Sequence, residues 1–121
     1  MFCSAAVAFA VASERCAEAG GTLPSVDDPA QNQWLTERMQ SVAVDDFWLS
    51  GTDADAEGVW RWSDGRVFFG PAAAALDGGA PFAPWEPGQP NDVNGEDCMR
   101  SVEGIWRDLD CADEIAYACQ G

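Results

Sequence analysis

The sequence predicts an α+β domain, and three observations predict it. Helix-type spacing is confined to the first third of the chain, strand-type segments follow, and a long irregular stretch interrupts them. The 121 residues suffice for one domain, residues 1–121, and leave no room for a second. Hydrophobic residues make up 47%, with six Trp and six Phe, which is enough for a real core.

Residues 9 to 19 read as a helix stopped by Gly20 and Gly21. "DDPAQNQWLTERMQ" reads as a second helix, with Asp28 as its cap and Pro29 at its first position. Trp34, Leu35, Arg38 and Met39 supply the three- and four-residue spacings along it. "FWLSG" (47 to 51) and "VWRW" (59 to 62) read as strands joined by the acidic loop "TDADAEG". From about residue 63 to 97 the chain is rich in Gly, Pro and Ala with little periodicity. Tryptophans bracket this stretch, so it is read as an ordered functional loop. "CMRSVE" and "IAYAC" read as further strands. The apolar run "AAVAFAVA" (5 to 12) is taken as folded structure and not as a leader, because no basic residue precedes it. No segment approaches a membrane span, so membrane insertion is not expected.

The charge balance narrows the function. Six Lys and Arg stand against 21 Asp and Glu, a net of −15, which repels phosphate backbones and makes nucleic acid a poor partner. Nine of the 21 acids fall between Glu86 and Glu114, a clustering that solubility does not explain. The chain has no His, which removes the usual general base, the commonest transition-metal ligand and any Ser-His or Cys-His dyad. Paired acids such as Asp108 and Asp110 would have to catalyse alone, so no enzyme is expected. Calcium fits the inventory, because it takes hard oxygen ligands only. The cysteines, Cys3, Cys16, Cys98, Cys111 and Cys119, contain no CxxC pair and read as a disulfide framework of a secreted chain with one thiol over. A metal site is the alternative.

Together these segments resemble the C-type lectin-like domain nearly end to end. Phe9, Ala12 and Cys16 have the spacing of its first helix, "GGTLPSV" resembles the connection between its helices, and "FWLSG" its WIGL strand. "WRWSDG" resembles the entry to its long loop; "GEDC", "GIWRDLDC" and "YAC" resemble its C-terminal half. The resemblance implies two helices packed on small antiparallel sheets with a long calcium-binding loop. It implies disulfides Cys16–Cys119 and Cys98–Cys111, with Cys3 outside the scheme as a free thiol or an interchain bridge of a homodimer. It implies a secreted or cell-surface protein whose partners are glycans or monosaccharides.

The resemblance also assigns residues. The sugar-type calcium position maps to Gln89, Asn91, Glu96 and Asp108, with Pro90 expected cis so that both flanking carbonyls turn one way. A second calcium position maps to Asp53, Glu57, Asp92 and Asp97, with Glu96 beside them. The triplet Gln89-Pro90-Asn91 begins like the galactose-type pattern and ends like the mannose-type, so the sugar class stays open. Arg107 stands where the sugar-site motif has Asn. A guanidinium has no acceptor and cannot ligate calcium. Either Arg107 swings out and water fills its place, or the sugar site is weakened or lost and the domain binds a protein or another non-sugar surface. Five of the six tryptophans, Trp48, Trp60, Trp62, Trp85 and Trp106, are read as core and loop anchors ahead of sugar platforms. "DADAE" is read as metal-binding ahead of a solvated turn.

Overall fold

The computed structural model describes residues 2–54, 59–69, 82–87 and 97–120, with residues 2–5 by backbone alone. In chain order the elements are β1 (Phe2–Val7), α1 (Phe9–Glu18), α2 (Pro29–Gln40), β2 (Asp46–Thr52), β3 (Trp60–Arg61), β4 (Val67–Phe69), β5 (Cys98–Val102), β6 (Ile105–Leu109) and β7 (Ile115–Ala118). Both helices lie where the spacing places them. Gly20, at φ +84°, ends α1, and the N–H of Gly21 donates to the Cys16 carbonyl at 2.8 Å. That is a Schellman closure, which needs a residue free to adopt positive φ. Asp28 caps α2 by accepting from the Gln31 N–H at 2.7 Å, and Pro29 opens it.

Three strands lie where the sequence reading placed none: β1, β4 and β6. β1 falls in an Ala-rich run with no alternation, and its partner lies at the far end of the chain. Its register with β7 is antiparallel, with Phe2↔Ala118, Cys3↔Tyr117 and Val7↔Ile115. β4 sits inside the 63–97 stretch, which is therefore not irregular throughout; it pairs with β3. β6 forms a hairpin with β5, closed by Glu103 (φ +53°) and Gly104 (φ +84°), the two positive values of a tight I′-type turn.

The described strands join in one sheet through β2. One edge of β2 pairs antiparallel with β5, while the other pairs with β7 and β3. The β2–β7 pairing is parallel, so the sheet is mixed and not wholly antiparallel as the resemblance implied. Alternation along the strands splits the core into two clusters. On one face Phe47, Leu49, Met99 and Trp106 pack with Leu35 and Met39 of α2. On the other, Trp48, Cys98 and Tyr117 pack with Ala12 and Cys16 of α1.

The tryptophans are largely core. Trp48, Trp60, Trp62 and Trp106 are buried, and Trp85 packs half-buried against them. Trp62 stacks on Phe68 at 3.9 Å and meets Trp106 edge-on at 5.4 Å. Asn32 of α2 ties the hairpin down: its Nδ2 donates to the Gly104 carbonyl at 2.9 Å, and its Oδ1 accepts from the Trp106 indole at 3.4 Å. Disulfides Cys16–Cys119 and Cys98–Cys111 are both present. Cys3 lies in β1; nothing is described of its side chain.

Candidate functional site: acids at the strand ends and an arginine beside them

Three of the acids assigned from sequence lie at adjoining strand ends. β2 stops at Thr52, which pairs with Cys98 at the start of β5. Just beyond, the Asp53 N–H and the Thr52 hydroxyl both donate to the Asp97 carbonyl, at 3.1 and 2.7 Å. Thr52 and Asp53 are thereby fixed beside Asp97, more than forty residues on in sequence. β6 brings the third acid: Asp108 stands opposite Met99, next in register to the Cys98–Leu109 pair. Asp53 and Asp108 are buried, at 2% and 4% exposure. A carboxylate at that depth requires hydrogen-bond donors or a cation to compensate its lost hydration.

The remaining assigned residues, Glu57, Gln89, Asn91, Asp92 and Glu96, lie outside the described residues. Among the described residues alone, no three acidic or cysteine side chains close on a single metal position.

Arg107 lies on the opposite face of β6 from Asp108. Trp106 and Asp108 point inward, whereas Arg107 alternates to the α1-side face and stays partly exposed. There its Nε donates to the Glu86 carboxylate. The backbone enforces this meeting: the Trp106 N–H donates to the Pro84 carbonyl at 3.0 Å, and the Glu86 N–H to the Trp106 carbonyl at 2.9 Å. Residues 84 to 86 thus run beside β6, with Trp85 bridged parallel to Trp106. The hydrogen bond from Arg107 holds the Glu86 carboxyl below the usual glutamate range, and the same bond raises Arg107.

This pair belongs to a row of four charges, Asp46, Arg100, Arg107 and Glu86, with the two arginines in the middle. Arg107 stands directly opposite Arg100 in the β5–β6 register, where like charges repel. Each arginine has its own carboxylate: Arg100 Nη1 donates to Asp46 at 2.9 Å, and Arg107 to Glu86. Glu86, Pro87, Val102, Ile105 and Arg107 line a shallow groove of about 340 Å³. Sequence reasoning counted Glu86 only as the first of the clustered acids. Its role depends on the bridge between residues 85 and 106, which no local spacing signals.

Residues 5–121 match the family model of the Lectin C-type domain. A perlucin-like protein of Mytilus galloprovincialis is 28% identical over 114 residues, and the hepatic lectin of Gallus gallus is 30% identical over 111. These matches cover 89% and 90% of the chain but 66% and 47% of the two relatives, so the chain spans only part of their length. Among solved structures, the cow C-type carbohydrate-recognition domain of CD23, crystallised in the presence of a GlcNAc2Man3 oligosaccharide, superposes with a TM-score of 0.78. It is 29% identical, with 98% of this chain and 82% of that one covered. A calcium-independent type II antifreeze protein superposes at 0.76 with 24% identity, covering 98% and 81%, and shares the fold. The chain belongs to the C-type lectin domain family.

Proposed function

We propose that this domain binds glycans in a calcium-dependent manner through its long loop. The observation that carries the reading is the junction at Asp97, whose carbonyl accepts from both Thr52 and Asp53. It sets two of the acids assigned to the second calcium position, Asp53 and Asp97, on adjoining segments. The donor set suits the ion: Asp53, Glu57, Asp92, Glu96, Asp97 and Asp108 offer carboxylates, Gln89 and Asn91 offer amide oxygens, and no His is present. Arg107, the assigned residue that cannot ligate, sits on the far face of β6 and is paired with Glu86.

In this reading Asp53, Glu57, Asp92 and Asp97, with Glu96, hold the ion that stiffens the loop. Gln89, Asn91, Glu96 and Asp108 hold the ion at the sugar position and hydrogen-bond the sugar hydroxyls. Bound there, calcium supplies coordination for two vicinal hydroxyls. Asn91 donates and accepts, Asp108 only accepts, and their placement selects hydroxyl geometry. The Cys98–Cys111 disulfide braces the strands that carry Asp97 and Asp108. Two disulfides suit an oxidising compartment, in keeping with a secreted or cell-surface location.

Calorimetry with mannose, galactose and N-acetylglucosamine, in calcium and then in chelator, tests the reading. Chelator-sensitive binding of any one supports it. Binding of none at millimolar calcium sinks it. The second reading, a C-type lectin domain with a degenerate sugar site that binds a protein or another surface, rests on Arg107 in the place of the motif's Asn. It predicts calcium uptake at the Asp53–Asp97 position and a blank glycan array.

A further inference from the structure

We propose that the cleft between α1 and the end of β2 is a separate ligand site, one that takes a small neutral polyol and needs no metal. The cleft holds about 350 Å³, at the lower end of the range for small-molecule sites, which suits a single hydroxylated ring. Phe9, Ser13 and Ala17 line it from one flank of α1, and Ser50 and Thr52 from β2. Thr22 and Leu23, after α1, and Ser63, after β3, complete the wall. These segments are already fixed. The Gly21 N–H donates to the Cys16 carbonyl at 2.8 Å, and Thr22 exchanges backbone hydrogen bonds with Gln120 at 2.8 and 2.7 Å. The Ser50 N–H donates to the Pro24 carbonyl at 2.9 Å. The buried Ser50 hydroxyl shares a hydrogen bond with Ser25 and accepts from the Ser63 N–H at 3.3 Å, which holds Ser63 at the rim. A ligand therefore enters a preformed space and loses little affinity to ordering of the protein.

The lining selects the class of ligand. It contains no ionisable side chain, although 22% of the chain is charged. An ion entering it would give up hydration and meet no opposite charge at the wall. A purely apolar ligand would strip water from the hydroxyls of Ser13, Thr22 and Ser63 and return no hydrogen bond. A hydroxylated ring answers both. Those three residues are exposed, and each of their hydroxyls can donate and accept. The C–H surface of the ring would lie against Phe9, Ala17 and Leu23. Phe9 meets the buried Trp48 edge-on, with ring centroids 5.7 Å apart, and this contact holds the aromatic wall in place. None of the acids assigned to calcium lines the cleft.

The test is an amide NMR titration in chelator with methyl glucoside, and with cyclohexanol and glucuronate as its apolar and anionic counterparts. Methyl glucoside is expected to bind on the millimolar scale and to shift the amides of Gly21, Thr22 and Leu23. Each counterpart is expected to bind at least about tenfold more weakly. Ala17→Phe, at an exposed position of α1, fills the cleft and is expected to abolish the shifts. Thr22→Val keeps the shape and removes one hydroxyl; it is expected to weaken binding about fivefold, the scale of one neutral hydrogen bond. No shift with up to about 100 mM methyl glucoside, far above a millimolar constant, overturns the proposal. So does glucuronate binding as well as the glucoside, or binding that both variants leave unchanged. Calcium is absent throughout, so failure of the calcium-dependent reading leaves this result standing, and failure here leaves that reading untouched.

Discussion

The amide of Asp53 donates to the carbonyl of Asp97 at 3.1 Å, and this bond joins the end of β2 to the start of β5. It uses backbone atoms only, so neither carboxylate takes part in holding the two segments together. Replacing Asp53 with Asn therefore removes a charge and leaves the junction intact. Calcium affinity is expected to fall at least about tenfold, because ligand charge sets the affinity of such sites. Calorimetry checks it, and an unchanged affinity would remove Asp53 from the ligand set.

Gly51 lies where β2 crosses the side chains of Met99 and Phe68. A Cβ there would stand 2.8 Å from Phe68 Cζ and closer still to Met99 Sδ. Both neighbours are buried, so they could make room only by shifting within the core. Gly51→Ala is expected to cost about 1–3 kcal/mol through overpacking. Denaturant unfolding measures it, and a loss under half of that range would mean the core yields more readily than its burial indicates.

The two disulfides close loops of unequal size, with sequence separations of 103 and 13. Chain entropy then predicts that removing Cys16–Cys119 costs about 4–5 kcal/mol and removing Cys98–Cys111 about 3 kcal/mol. Paired Cys→Ser variants compared by unfolding test the order. The reverse order would point to strain or residual structure in place of loop entropy.

Acidification tests the Glu86–Arg107 contact without any metal. Glu86 has a depressed folded value, caused first by the hydrogen bond from Arg107 and opposed by burial. A depressed carboxylate stabilises the fold fully above the ordinary glutamate value, and that contribution is lost as pH falls through the folded value. The melting temperature of wild type is therefore expected to exceed that of Glu86→Gln at neutral pH and to converge with it in acid. Parallel curves from neutral to strongly acidic pH would show the carboxylate's charge to be idle.

The sequence was most informative where chemistry is local. Asp28 and Pro29 mark the start of α2 by themselves, and Gly20 marks the end of α1, because caps and closures need particular side chains at particular places. The tryptophans were legible as core through the family resemblance, as was the disulfide pairing. β1 is hidden, since alanines carry little strand preference and its ladder lies with β7, more than a hundred residues on. β6 is obscured in another way: the ligand-type residues of "GIWRDLDC" draw the eye from the alternation of Trp106, Arg107 and Asp108 between two faces. That alternation is what parts Arg107 from Asp108, while Glu86 meets Arg107 only through the non-local bridge between Trp85 and Trp106.

Phe2 pairs with Ala118, and Cys16 is bonded to Cys119. A force applied through the two ends of the domain would therefore travel a short path. It would peel β1 from β7 rung by rung, then straighten the few residues before Cys16, and there meet a covalent bond. Everything from residue 17 to residue 118 lies inside the loop that this bond closes. Asp53, Asp97 and Asp108 sit in that shielded interval, so tension on a tethered domain would be borne by sulfur and would not reach the acids.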